Sequence, residues 1–175
     1  MNKRLFLLIP VVIFLSVAIA LGGISLFKKY TTPKHAHYHA GFQVYVDGKL
    51  QDFSKAQFMK ENPCTADGKS HGEEDEQLEK AHLHDRVGNV VHSHRESVYW
   101  KDLFTNIRYS LSRNKPIQSF INGKGVKDIL EEKIIPYDSV VIFIGNNENT
   151  DELLKKAVKK EEIIKAENKS ENCGS

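Results

Sequence analysis

Residues 35–54, HAHYHAGFQVYVDGKLQDFS, govern how the rest of the chain is read. Phe42, Val44 and Val46 alternate with Gln43 and Tyr45, the period of two that sends successive side chains to opposite faces of a strand. Asp47-Gly48 follows as a strong hairpin signal, and the chain returns through Leu50 to Phe53. The apolar set Phe42, Val44, Val46 and Phe53 then forms the core face. His35, His37 and His39 share the parity of Gln43 and Tyr45 and line the opposite face.

The histidine pattern returns at 81–95, AHLHDRVGNVVHSHR, with His82, His84, His92 and His94 in two His-x-His pairs. Seven of the eight histidines fall in these three short runs. On a strand, positions i and i+2 share a face, so each pair presents two imidazoles on one side. Whether the pairs share a side depends on the turn. Asp85 suits the first position of a type I turn and Gly88 the left-handed residue after it, which predicts a three-residue hairpin with a bulge, closed by Asp85 and Asn89. That register sets His82 opposite His92 and puts all four imidazoles on one face, with Asp85 pointing away from His84.

Clustered imidazoles are a nitrogen site suited to zinc, Cu(II) or Ni(II). The only methionines are Met1 and Met59, so no thioether site selects Cu(I), and the expectation narrows to zinc or Cu(II). His82, His84, His92 and His94 are the primary candidate ligands, with His37 and His39 next and His35 and Cys64 as further candidates. The competing reading is a metal-free, His-rich, pH-sensitive face that binds a protein or glycan partner.

The other segments supply a compact sheet domain. Residues 60–79, with Pro63, two glycines and the acidic run Glu73–Glu76, read as a mobile solvated loop. Trp100, Leu103, Phe104, Ile107 and Leu111 recur at helical spacing and predict one core-facing helix, with Ser97 as its N-cap. A strand over 117–122 ends in Asn122-Gly123, and SVVIFIG at 139–145 has the composition of a fully buried strand. Asn149 and Glu152 form a capping-box pattern that opens a charged helix, with Leu153, Leu154, Ala157, Val158 and Ile164 as a thin apolar stripe. The fold class expected is α+β: a small, mostly antiparallel sheet with one packed amphipathic helix, β-grasp-like in element order, followed by the charged C-terminal helix.

Residues 5–27 carry no charge, and twenty-three residues at ~1.5 Å each span a ~30 Å bilayer core. The expectation is a single-pass protein of the cell membrane with an N-terminal transmembrane helix as signal-anchor and its C-terminal domain outside the cytoplasm. Ala18-Ile19-Ala20 leaves a cleaved signal peptide as the alternative. The organisation that follows is a membrane anchor at 1–29, a His-rich extracytoplasmic domain at 30–147, and a charged helix and tail at 148–175. A net charge of +2 gives no pull toward nucleic acid. Cys64 and Cys173 form no C-x-x-C, so paired-thiol redox chemistry has no motif.

A metal-dependent hydrolase is the remaining alternative. His82-Leu83-His84-Asp85 is similar to part of a metallohydrolase signature, but Arg86 stands where a further histidine is expected. No H-E-x-x-H, G-x-S-x-G or phosphate loop is present, and no general base is assignable. H-x-H-x-H leading into FQVYVDGK, then HLHD, GNVVHSH and W-K-D-L-F, resembles a family of uncharacterised, membrane-anchored, His-rich bacterial extracytoplasmic proteins. The likeness spans residues 35–145. It implies that the histidine pattern belongs to the domain, and it carries over no catalytic residue.

Overall fold

The alternation in 42–46 builds the strand from which the domain grows. The structure, a computed structural model, describes residues 36–59, 73–111 and 114–168. His35, Cys64, His71, Cys173 and the segment 5–27 lie outside them. Strand β1 (Tyr38–Val46) turns at Asp47 and Gly48, with φ of 48° and 78°, into β2 (Lys49–Leu50). These left-handed angles are what a two-residue hairpin turn requires and what glycine adopts at no steric cost. Helix α1 (Glu73–Lys80), strand β3 (Val90–Ser93) and helix α2 (Trp100–Asn106) follow. Then come β4 (Ile117–Ile121), β5 (Lys124–Val126), β6 (Ser139–Ile144), α3 (Thr150–Leu154) and α4 (Lys160–Glu167).

The sheet runs β2-β1-β6-β4-β5, and β3 pairs with the other end of β1. β1 and β6 are parallel, while the other pairs are antiparallel. The expected fold, a β-grasp-like sheet with one packed helix behind an N-terminal transmembrane helix, is corrected to a mixed sheet, antiparallel but for the β1–β6 pair, with several helices. The reason is that the apolar run at 139–144 inserts beside β1, giving the sheet two buried faces. On one face Phe42, Val44, Val91, Val140 and Ile142 pack with Trp100, Leu103 and Phe104. On the other, Tyr45, Val141 and Phe143 meet Leu153 and Leu154 of α3, and Val90 meets Val158, Ile163 and Ala166.

Several local expectations are corrected. Residues 73–79 of the loop expected at 60–79 belong to helix α1, and Asn106 holds its end by donating from Nδ2 to the carbonyls of Gln77 and Ala81 at 2.8 and 2.7 Å. Ser97 is not the N-cap of α2. The cap is Tyr99, whose N–H donates to the Asp102 carboxylate at 3.0 Å, and Ser97 stands in a left-handed bend with φ 58°. The charged C-terminal helix is two short helices, and Asn149 makes no side-chain cap. Ile163, not Ile164, is buried, because the break at 155–159 turns α4 relative to α3.

The expectation of an N-terminal transmembrane helix and a single-pass protein of the cell membrane is also corrected. Among the described residues no helix is long and apolar enough to cross a membrane. The longest described helices, α1 and α4, have eight residues each. That is ~12 Å against a ~30 Å hydrocarbon core. The segment from which the expectation was drawn lies outside the described residues.

Candidate metal centre

Histidines enter the site from three backbone segments. His39 on β1 pairs in register with His92 on β3, so both side chains leave the same face of the sheet. His37 and His94 continue that face by parity. His82 bridges to His92 from the other side of β3, with reciprocal backbone hydrogen bonds of 3.0 and 2.9 Å. The expected register, His82 opposite His92, is the one observed.

The turn that produces this register differs from the one expected. Asp85 and Arg86 are both left-handed, with φ of 53° and 56°, and the Val87 N–H bonds to the His84 carbonyl at 3.0 Å. That is a two-residue turn followed by extra residues before β3, not a three-residue turn with a left-handed Gly88. Gly88 serves a close approach instead: a Cβ there would lie 2.4 Å from the Ser54 backbone nitrogen. Asp85 does not point away from His84 either. Its Oδ2 accepts from His84 Nδ1 at 2.9 Å.

The result is a hub. The His92 ring centroid lies between 4.4 and 4.9 Å from those of His37, His39, His82, His84 and His94. His39, His82 and His92 are each only 2% exposed, while His37 is open to solvent and His84 and His94 are half-buried. Among the described residues two groups have three ligand nitrogens within 4.8 Å of one another: His37, His39 and His92, and His82, His84 and His92. Zn–N bonds of ~2.0–2.1 Å set nitrogens ~3.4 Å apart in a tetrahedron, which side-chain rotation of about an ångström supplies.

Hydrogen bonds around the cluster fix tautomers. The Leu78 carbonyl, in the last turn of α1, accepts from His82 Nδ1 at 2.8 Å, which leaves Nε2 as the lone-pair nitrogen. Asp85 does the same for His84, whose Nε2 faces His92 Nδ1 directly. His92 Nδ1 must then carry the proton, and its Nε2 is a bare acceptor. That atom and both ring nitrogens of His39 are buried without a hydrogen-bond partner among the described residues. Such atoms cost about 1–3 kcal/mol each when left unsatisfied. A carboxylate or carbonyl behind an imidazole is the outer-shell arrangement that orients metal-binding histidines.

Burial, aided by the neighbouring His37, His84 and His94, holds the His39 imidazole down at about 4. Burial, aided by His82, His94, His39 and His84, pushes His92 lower still. Both are therefore neutral near pH 7, the form that binds a metal ion. Helix α4 closes the sheet end of the cluster. Glu167 Oε1 lies 3.8 Å from His39 Nδ1 and its Oε2 accepts from the Tyr137 hydroxyl at 3.0 Å.

Six of the eight sequence-predicted ligands thus converge: His37, His39, His82, His84, His92 and His94. His35 and Cys64 lie outside the described residues. The orienting groups Leu78, Asp85 and Glu167 were missed. Only Asp85, adjacent to a histidine, left any signal in the sequence. Compared with protein-family models, curated proteins and solved structures, the chain matches none.

Proposed function

We propose that this protein captures a divalent transition metal ion, zinc or Cu(II), through its imidazole cluster and hands it on. The observation that carries this reading is the packing of five imidazoles around His92, with the His92 Nε2 and both His39 nitrogens buried and, among the described residues, without a hydrogen-bond partner. A metal ion satisfies the lone pairs of His92 Nε2 and of one His39 nitrogen, which are buried beyond the reach of a protein or glycan partner. Among the described residues both candidate ligand groups are entirely imidazole, which suits zinc and Cu(II). Capture and transfer are favoured over a purely structural role because the site has an open edge: His37 is exposed and the second group includes half-buried His84.

The test is elemental analysis of the full-length chain, purified without a polyhistidine tag, followed by thermal melts with and without chelator. The expected result is bound zinc or copper and a melting point that falls on chelation. Metal held at about 100 times its Kd adds about 2.7 kcal/mol, or roughly 5–10 °C for a chain of this size. A metal-free protein whose melt is unmoved by added zinc or copper would overturn the reading.

A further inference from the structure

The two ligand groups share one residue, and only one: His92. The geometry points to a dinuclear centre in which the His92 ring bridges two divalent ions, one held with His82 and His84 and the other with His37 and His39. This rests on the metal-binding reading above and adds its stoichiometry and electronic structure.

A ring nitrogen has one lone pair and binds one ion, so a single group that used His92 would leave the other with two imidazoles. The ring has two nitrogens, however, and they face different neighbours. Nδ1 is turned to His84 Nε2. Nε2, on the far edge of the ring, is buried without a hydrogen-bond partner among the described residues. The His37 and His39 centroids stand 4.6 and 4.4 Å from that of His92. Nδ1 is therefore aimed at a histidine, and Nε2 is closed off from solvent beside the packed rings of His37 and His39.

Binding is balanced simply. One ion takes the Nε2 lone pair. The other displaces the Nδ1 proton, which leaves to the buffer, and binds the lone pair that remains. No electron is transferred. The ring becomes an imidazolate anion between two dications, which reduces the repulsion that two like charges held close together in a buried site would otherwise suffer. The other histidines keep their outer-shell partners, Leu78 for His82 and Asp85 for His84, and need no change of tautomer.

The probe is Cu(II) added stepwise to the metal-stripped full-length chain, with copper per chain measured after desalting and electron paramagnetic resonance recorded at each step. The proposal expects two coppers per chain. At two equivalents the integrated signal should fall well below two isolated spins, because the imidazolate couples the pair. The H37A/H39A double variant, which keeps His92 and the second group, should bind one copper with the full signal of one spin. H92A should lose the coupling. Two coppers with the signal of two uncoupled spins would overturn the bridge. So would one copper per chain, which leaves the metal-binding reading standing. No bound copper or zinc at all would overturn both.

Discussion

Asp85 Oδ2 sits 2.9 Å from His84 Nδ1, one residue away along a turn in which both Asp85 and Arg86 are left-handed. The turn exists in this form so that the carboxylate can double back on the preceding imidazole. The consequence is a His84 ring whose Nε2 lone pair is aimed at His92 before any metal arrives. Outer-shell carboxylates of this kind are worth about 10–100-fold in metal affinity. Asp85→Asn keeps the size and the turn preference but removes the charge. Its zinc affinity, measured by competition with a chromophoric chelator, is expected to fall by about that factor while the apo melting point stays near that of the parent. An affinity equal to the parent's would remove Asp85 from the site.

The metal-free protein should lose stability on mild acidification, and the sign follows from the two buried imidazoles. His39 is held at about 4 and His92 lower, both mainly by burial and then by neighbouring imidazoles. In the unfolded chain each titrates near ~6.5. A folded value below the unfolded one means that the unfolded state binds the extra protons as pH drops through ~6.5, so folding weakens there. For His39 the loss continues down to about 4, where the folded protein takes up its own proton. Each group contributes a slope of up to about 1.4 kcal/mol per pH unit inside its window. Urea midpoints of the chelated protein at pH 7.5 and 5.0 check this, and a midpoint that does not fall toward pH 5.0 is the refuting result.

What could be read from the sequence was what depends on parity and local turn chemistry. The alternation of Phe42, Val44 and Val46 and the Asp47-Gly48 turn follow from period-two patterning and turn chemistry and are present in the structure, whereas His82 stands opposite His92 as expected but through a different turn from the one that predicted it. The details that failed depend on distant contacts. The parallel pairing of β1 with β6 joins Gly41–Val46 to Ser139–Ile144, almost a hundred positions apart, and no local signal specifies it. The C-terminal stripe was legible as apolar, but which isoleucine is buried depends on the break at 155–159, which only docking on the sheet defines. The Leu78 carbonyl that orients His82 belongs to a helix that an acidic, polar composition disguised as loop.

Gly41 shows how closely the C-terminal segment sits on the histidine face. It lies two residues beyond His39 on the same face of β1, and a Cβ built there would meet Val158 Cβ at 2.7 Å and Ile163 Cδ1 at 3.3 Å. Gly41→Ala should therefore push 158–167 outward and cost roughly 1–3 kcal/mol, the range for overpacking a well-filled core. It should also open His39 to solvent, seen as faster reaction of that histidine with diethylpyrocarbonate in the metal-free protein. An unchanged urea midpoint together with unchanged His39 reactivity would mean that α4 does not cover this face.

Gly88 separates two reasons for a glycine that predict different substitutions. Were it needed for a left-handed backbone, Gly88→Asn would be tolerated far better than Gly88→Ala, since asparagine visits that region readily. The structure gives the other reason. Gly88 is not among the residues with positive φ, and its Cβ would fall 2.4 Å from Ser54 N and 2.6 Å from Phe53 C, both backbone atoms that cannot swing away. Any side chain must then separate the 85–89 turn from the segment after β2, whose Phe53 ring is buried in the core. Gly88→Ala and Gly88→Asn are expected to be destabilised alike, by roughly 1–3 kcal/mol, and both to weaken metal binding because the same turn carries His84 and Asp85. Urea denaturation of the two variants decides it: a stable asparagine variant beside an unstable alanine variant would restore the left-handed explanation.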